Sequence, residues 1–270
     1  MGEDMKYLFD EWNSIKEKLK DKFLMLFLDY DGTITPIAPT PGTALLPSST
    51  RTLLETFSKT AQCKLTIISG RAVRDVKKCV GLKNINYVGN HGFEIEGPDI
   101  TFEALISPRL KETLLHLKGE VEKKLCSFDG VFVEDKGLTF SVHYRLANAQ
   151  AIPVLKEQFK KITKPYLLKK EIRVGAGKKV FEVKPPTEWD KGKAVLWILK
   201  KQQITLGNAK IVPLSIGDDA TDEDVFLALR DKGVTIYVGE PGQSYAQYYL
   251  RDTDEVTQFL KEIQKFKKDE

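Results

Sequence analysis

Two aspartates stand two residues apart, directly after an apolar run. Residues 23–28 are all hydrophobic, and Asp29-Tyr30-Asp31-Gly32-Thr33 follows them. A lone aspartate there is usually a turn residue, but a pair at the end of a buried strand needs a cation or partner to offset its repulsion. One carboxylate can attack a phosphoryl group as a nucleophile, and a second can protonate the leaving oxygen. The pair therefore predicts phosphoryl-transfer chemistry.

A second acidic cluster follows another strand-like run. Residues 218–224 contain five acids and are separated from residues 211–216 only by Gly217. A helix N-terminus favours negative side chains, which accounts for the acids from Asp222 onward but not for Asp218 and Asp219. Two acidic clusters at strand ends of one sheet predict a Mg2+ site, because Mg2+ takes hard oxygen ligands in octahedral geometry. Mn2+ or Co2+ could use the same ligands.

Two further motifs are each open to a plain structural interpretation. Ser69 follows the apolar run 65–68, where a serine can bind a phosphate oxygen or cap a helix. Lys191 stands at a predicted helix start, where its ammonium could reach a phosphoryl group or lie in solvent. Taken alone, each motif favours the plain interpretation, a helix cap for Ser69 and a solvated surface lysine for Lys191.

The elements that position these motifs form two segments, residues 1–104 and 186–270. In both, strand-sized apolar runs alternate with helical spacing, which favours a doubly wound α/β core with a parallel sheet. In such sheets chemistry collects at the carboxyl ends of the strands. The runs that predict strands are residues 23–28, 65–68, 87–88, 211–216 and 234–238.

The middle segment, residues 105–185, has a different pattern. A helical stretch followed by a hairpin occurs twice, which predicts a small α+β domain inserted into the core as a cap. The first predicted hairpin joins residues 131–135 to 138–144. The second joins residues 167–174 to 178–183 through a turn at 175–177.

Composition narrows the function classes. The 270 residues are 41% hydrophobic, which excludes wholesale disorder. The net charge of +4 demands no nucleic acid, and the apolar runs are too short to span a bilayer, so we expect neither nucleic-acid nor membrane partners. The three cysteines, Cys63, Cys79 and Cys126, have no metal-binding spacing, and we expect a cytoplasmic protein.

The four core motifs, taken in order, resemble the haloacid-dehalogenase-type phosphohydrolase superfamily. Finer strings resemble the trehalose-6-phosphate phosphatase family within it, and together they extend from residue 28 to residue 224. The strings are residues 28–33, 89–92, 134–137 with 144–145, 182–185 with 189–193, and 217–224.

The resemblance implies a role for each core residue. Asp29 would be the nucleophile that forms an aspartyl-phosphate, and Asp31 the general acid and base. Mg2+ would be bound by Asp29, the backbone carbonyl of Asp31 and Asp218. The remaining positions are Ser69 and Lys191 on the phosphoryl oxygens, Asp219 and Asp222 acting on the metal through water, and Arg71, Asn90 and His91 on the substrate.

The inserted domain would then select the sugar. The reacting phosphate is common to all sugar phosphates, so discrimination must come from hydroxyl contacts away from the chemistry. Lys178 and Glu182 are four apart on a predicted strand and so would share a face. The resemblance places the sugar contacts at Glu134, Lys136, Arg145, Lys178 and Glu182.

The function that the resemblance implies is hydrolysis of trehalose 6-phosphate to trehalose and phosphate, alongside a trehalose-6-phosphate synthase. One alternative is a phosphatase of the same fold for sucrose phosphate or mannosyl-phosphoglycerate, which the core motifs do not separate. Another is a non-catalytic module that binds trehalose phosphate. The intact Asp29, Asp31 and Asp218 argue against that module, because binding alone needs no nucleophile.

Overall fold

The computed structural model describes residues 5–270, so residues 1–4 of the predicted core range lie outside the described residues. The chain divides into two compact units. The first, which we call the core unit, extends to Glu103 and resumes over Trp189–Glu270. The second, the inserted unit, is Ala104–Glu188.

The chain forms thirteen strands and eight α-helices in the described residues. The strands are β1 (Lys6–Tyr7), β2 (Phe23–Asp29), β3 (Cys63–Ile68), β4 (Asn86–Gly89), β5 (Glu94–Glu96), β6 (Thr101–Glu103), β7 (Phe132–Asp135), β8 (Phe140–His143), β9 (Arg173–Gly177), β10 (Val180–Lys184), β11 (Ile211–Gly217), β12 (Val234–Val238) and β13 (Tyr248–Leu250). The helices are α1 (Trp12–Leu19), α2 (Ser48–Lys59), α3 (Val73–Val80), α4 (Pro108–Leu125), α5 (Ile152–Leu168), α6 (Lys191–Leu206), α7 (Glu223–Leu229) and α8 (Thr253–Asp269).

The core unit is built on a nine-stranded sheet in the order β1-β13-β12-β11-β2-β3-β4-β5-β6. All neighbours pair in parallel except β4 with β5 and β5 with β6. β2 lies near the middle and is buried from Leu24 to Asp29, because side chains on both of its faces pack into apolar clusters. The prediction of a doubly wound α/β core is confirmed.

The pairing of β2 with β11 positions the chemistry. The two strands run in parallel register as far as Leu28 opposite Ile216. Asp29 and the segment after β11 therefore leave the sheet side by side, at its carboxyl edge. β3 pairs on the other side of β2, with Asp29 opposite Ile68, so Ser69 lies at the same edge.

The inserted unit contains a four-stranded antiparallel sheet in the order β7-β8-β10-β9, together with α4 and α5. One face of this sheet supplies Val142, Phe181 and Val183 to an apolar cluster shared with both helices. Alternate residues such as Glu134 and Glu182 lie on the opposite face, because side chains alternate along a strand.

The predicted second hairpin is wrong in the position of its turn and in the start of its first strand. α5 continues to Leu168 and β9 continues through Gly177, which pairs with Val180. The connection is therefore the two residues Lys178 and Lys179, and Lys179 takes a left-handed backbone conformation (φ 65°). Lys178 is an exposed turn residue and not a strand neighbour of Glu182. Gly175 and Gly177 suggested a turn, yet both lie within the strand.

Within residues 5–270, no helix has both the length and the apolar character needed to cross a membrane.

Candidate active site

Three carboxylates meet at the carboxyl edge of the core sheet. Asp29 ends β2, Asp218 follows β11, and Asp222 immediately precedes α7. One oxygen from each lies within 4.8 Å of the others, and all three residues are buried. These residues are far apart in the sequence, and the pairing of β2 with β11 brings them together.

A buried lysine binds two of these carboxylates. Lys191 is the first residue of α6, and its Nζ donates to Asp29 Oδ1 at 2.8 Å and to Asp222 Oδ1 at 2.9 Å. The helix begins there because Asp190 caps it, with its side chain accepting from the Lys193 N–H at 2.7 Å. Since Lys191 is only 1% exposed, the solvated-lysine interpretation does not hold.

The charge of this cluster is unbalanced. Three buried carboxylates face one ammonium, so two negative charges would remain if all were ionised. Burial raises the pKa of Asp29 well above its ordinary value, against the pull of Lys191 and with added repulsion from Asp222. Burial likewise raises the pKa of Asp222 to about 7. A divalent cation would offset that excess, and hard oxygen donors are its preferred ligands.

Two groups of the site, Lys191 and Asp219, are favoured in their charged forms. Burial opposes the charged form of Lys191, but Asp222 and Asp29 raise the pKa of Lys191 well above its ordinary value. Burial also disfavours the carboxylate of Asp219, yet Lys191 and hydrogen bonds from Thr221 lower the pKa of Asp219 to about 2.

Asp222 also organises the loop that follows β11. Its Oδ2 accepts the backbone N–H groups of Asp218 (3.1 Å) and Asp219 (3.2 Å). Both oxygens of Asp222 are thus bound by this chain's own donors, whereas Asp29 uses only Oδ1 toward Lys191. Asp222 is therefore suited to hold Lys191 and the loop after β11 in place rather than to bind a metal directly.

Glycine is required at the end of β11. A Cβ built on Gly217 would overlap the Asp222 carboxyl group, which the hydrogen bonds above hold in place. We expect Gly217→Ala to displace Asp222, destabilise the protein by about 1–3 kcal/mol and lower metal-dependent activity. Thermal unfolding and phosphate release measure both effects. Gly119→Ala is the matched control, because nothing lies within 4 Å of its added methyl group, and equal losses in the two variants would contradict this account.

Asp31 does not join the three carboxylates through its side chain. Arg71 Nε donates to Asp31 Oδ2 and Arg71 Nη2 donates to Asp31 Oδ1, both at 2.7 Å. Ser69 lies two residues before Arg71 and is buried, with its Oγ accepting the Arg71 N–H at 3.1 Å. The serine therefore does fix the local turn, and its position at the sheet edge places it beside Asp29.

Asn90 and His91 lie on a tight loop after β4. Both have left-handed backbone conformations (φ 49° and 56°), and their N–H groups donate to the Arg71 and Ser69 carbonyls at 2.7 and 3.1 Å. The His91 ring packs against Gly70, where a Cβ would lie 2.5 Å from its Cε1. This loop is therefore joined to the Ser69 turn through its backbone.

Glu94 helps to fix this loop, and the sequence did not predict that role. Its Oε2 accepts from Asn90 Nδ2 at 2.6 Å and from the Val73 N–H at 3.0 Å, which links the loop to the start of α3. Trp189 Nε1 donates to the Gly92 carbonyl at 2.7 Å and links the same loop to the segment before α6. The only sequence feature that could have indicated this role is the position of Glu94, an acid two residues after Gly92.

In the inserted unit, Glu134, Lys136 and Glu182 form one charged group. Glu134 and Glu182 both pair with Ser141, so they stand in one row across the sheet. Lys136 Nζ lies 4.0 Å from Glu134 Oε2 and 3.8 Å from Glu182 Oε1, and this lysine is buried. Lys184 also pairs with Glu182, at 2.8 Å.

Two other predicted sugar contacts lie beside the second hairpin turn. Arg145 Nη2 donates to the Lys178 carbonyl at 2.8 Å, so the arginine binds the turn itself. His143, the last residue of β8, contacts Glu134 Oε2 through Nε2 at 2.7 Å. Its ring also stacks on Phe132, with centroids 4.7 Å apart.

Comparison with known proteins shows which family this chain resembles. The trehalose-phosphatase family model matches residues 27–254. Trehalose-phosphate phosphatase B of Arabidopsis thaliana is 32% identical over 97% of this chain and 71% of its own length. The trehalose-phosphate phosphatase of Mycobacterium tuberculosis is 36% identical over 79% of this chain and 53% of its own. The C-terminal domain of C. albicans trehalose-6-phosphate phosphatase has the same fold, with a TM-score of 0.81 at 23% identity, covering 97% of this chain and 99% of that domain.

The fold, with acids and a lysine gathered at the carboxyl ends of its parallel strands, is that of a haloacid-dehalogenase-type phosphohydrolase. Such phosphatases use a divalent cation, and the buried acids described above suit one. Within that class, the chain belongs to the trehalose-phosphatase family. The resemblance drawn from the sequence motifs is confirmed.

Proposed function

We propose that this phosphatase hydrolyses trehalose 6-phosphate to trehalose and phosphate, using Mg2+ and a covalent intermediate on Asp29. The observation that carries the proposal is the buried cluster in which the Lys191 ammonium binds Asp29 and Asp222 beside Asp218. A trehalose-6-phosphate synthase would supply the substrate.

In the first step, an Asp29 oxygen attacks phosphorus and the bond from phosphorus to the sugar oxygen breaks. Asp31 donates the proton that the departing sugar oxygen takes up. Lys191 and Ser69 hold the phosphoryl oxygens, where a preplaced charge and hydrogen-bond donor act on the developing negative charge.

In the second step, Asp31 takes a proton from water, and the oxygen of that water attacks phosphorus. The bond to Asp29 breaks, which releases phosphate and restores the carboxylate. Asp29, Asp218 and the Asp31 carbonyl would hold the metal, with Asp219 and Asp222 acting through water. When bound, Mg2+ would supply positive charge against both the phosphoryl group and the carboxylates.

The inserted unit would provide sugar specificity. Glu134, Lys136 and Glu182 can accept from and donate to hydroxyl groups, and their mutual contacts hold them in a fixed arrangement. We assign Arg145 and Lys178 to the same sugar-binding role, at the turn that they share. Asn90 and His91 remain the proposed substrate contacts of the core unit.

Glu182→Gln tests that role. We expect the KM for trehalose 6-phosphate to rise by about tenfold or more, because a hydrogen bond to a charged group is worth about 1.5–3 kcal/mol. The kcat/KM for p-nitrophenyl phosphate, which lacks the sugar, should fall much less. Glu157→Gln is the matched control, because Glu157 is exposed on α5 and pairs only locally with Lys161. An equal loss for both substrates would count against a sugar contact.

The function itself is tested by phosphate release from a panel of substrates, with Mg2+ and with chelator. The panel contains trehalose 6-phosphate, sucrose 6-phosphate, glucose 6-phosphate and p-nitrophenyl phosphate. We expect a Mg2+-dependent preference for trehalose 6-phosphate. Preference for another sugar phosphate would keep the core chemistry and reject the sugar assignment, whereas release from none would reject catalysis.

A further inference from the structure

The side chain of Asp31 is held by a two-bond contact with Arg71. The two parallel hydrogen bonds, each 2.7 Å long, join both carboxylate oxygens to one planar guanidinium. Such bidentate contacts fix the plane and direction of a carboxylate as well as its position. The direction in which Asp31 points is therefore set by where Arg71 lies.

Arg71 is itself fixed from other directions. Its Nη1 donates to the Pro41 carbonyl at 2.8 Å, and its guanidinium lies over the ring of Tyr30, 5.2 Å from the centroid. Tyr30 is fully buried and donates its hydroxyl hydrogen to the Ala44 carbonyl at 3.1 Å. The Arg71 side chain is 8% exposed, whereas that of Asp31 is 39% exposed. Arg71 is the fixed member of the pair.

We propose that Arg71 is a positioning residue that aims Asp31 at the leaving oxygen, rather than a residue whose main role is to contact substrate. The inference rests on the proposed function, in which Asp31 transfers the proton. The bidentate contact thus orients the carboxylate that transfers the proton, which neither Ser69 nor the acidic cluster does.

The proton balance is compatible with this contact. When Asp31 is protonated, one oxygen carries the proton while the other still accepts from Arg71. The proton passes to the sugar oxygen as the bond to phosphorus breaks, and the resulting carboxylate accepts both guanidinium bonds. In the second step that carboxylate takes a proton from water. Arg71 keeps all its protons throughout, as expected for a guanidinium.

The test compares two leaving groups in Arg71→Lys, which keeps the charge but not the paired bonds. p-Nitrophenolate leaves without needing a proton, whereas the sugar oxygen needs one. For kcat/KM, which reports the steps through the first phosphoryl transfer, we expect a fall of about a hundredfold with trehalose 6-phosphate. The fall with p-nitrophenyl phosphate should be several times smaller.

A double-mutant cycle separates positioning from substrate contact. In an Asp31→Asn background, Arg71→Lys should cause little further loss, because the group that it aims is already inactive. A full additional loss there would overturn the proposal in favour of direct substrate contact, and equal losses for the two leaving groups would also overturn it. Arg74→Lys, an exposed arginine three residues on, is the matched control.

Thermal unfolding of each variant checks the fold. If Arg71→Lys does not fold, Arg71→Gln, which can still donate hydrogen bonds to Asp31, undergoes the same comparison with the same criteria. Failure of the proposed function is distinguishable, because it would appear as absent trehalose 6-phosphate hydrolysis by the unaltered chain. In that case the leaving-group comparison uses the sugar phosphate that the chain does hydrolyse in place of trehalose 6-phosphate.

Discussion

Asp29→Asn is expected to lower phosphate release by roughly 10⁴-fold or more while leaving the protein folded. The amide keeps the shape of the side chain and can still accept from Lys191, but it is a poor nucleophile. In chelator we expect the variant to be at least as stable as the unaltered chain, because one buried negative charge beside Asp222 and Asp218 is gone. Phosphate release and urea unfolding measure the two effects.

The comparison variant is Asp218→Asn, which distinguishes a nucleophile from a metal ligand. Asp218 belongs to the same buried cluster but is not proposed to attack phosphorus. Raising the Mg2+ concentration should restore part of the activity of Asp218→Asn, since weakened metal binding is overcome by mass action. It should restore none in Asp29→Asn. Recovery of Asp29→Asn at high Mg2+ would show that Asp29 acts mainly as a ligand.

The sequence predicts the centre of the core well because burial there is nearly complete. β2 and β11 are covered on both faces, so their residues form continuous apolar runs that end where the chemistry begins. Period and length therefore suffice to find these strands, and parallel pairing then brings Asp29 and Asp218 together. The same logic finds Ser69 at the end of β3.

Short strands at the edges of the core sheet, or next to them, escape such reasoning. β5, β6 and β13 have three residues each, too few to show an alternation, and they form because the neighbouring strand offers unpaired backbone groups. The misplaced turn at Lys178 has a related cause. Gly175 and Gly177 lie in the terminal strand β9, where backbone pairing with β10 matters more than the turn preference of glycine.

Side-chain partners are the other limit. Nothing in Ser69-Gly70-Arg71 reveals that Arg71 binds Asp31, because the contact depends on the path of two loops. Lys191 could equally have faced solvent, and only its cap at Asp190 and the packing of α6 direct it inward. Motifs thus indicate which residues take part, while three-dimensional contacts decide which of them touch.

Lys191→Met is expected to have the second of the two largest effects, on stability as well as on activity. Methionine keeps an unbranched chain of similar size but removes the only cation that the described contacts place between Asp29 and Asp222. Breaking a buried ion pair by removing one partner costs about 3–5 kcal/mol. We expect that loss in chelator, measured by urea unfolding near neutral pH, and a loss of phosphate release of about a hundredfold or more.

The pH dependence of that loss follows from the same charges. Asp222 has a folded-state pKa raised to about 7, so its protonated form is favoured by folding. Stability linked to this group is fully present below the unfolded-state pKa and is lost as pH rises through about 7. Removing Lys191 raises that value further, so the deficit of Lys191→Met should shrink between about pH 8 and pH 6.

Two further variants locate the cause of the Lys191→Met deficit. Lys193→Met, an exposed lysine two residues further along α6, should leave stability and activity close to those of the unaltered chain. Adding Asp222→Asn to Lys191→Met should recover part of the lost stability, because it removes one of the carboxylates left without a counter-charge. Mg2+ should recover another part for the same electrostatic reason. A deficit that neither the second substitution, Mg2+ nor lower pH reduces would instead come from packing, since all three act only on the unpaired negative charge.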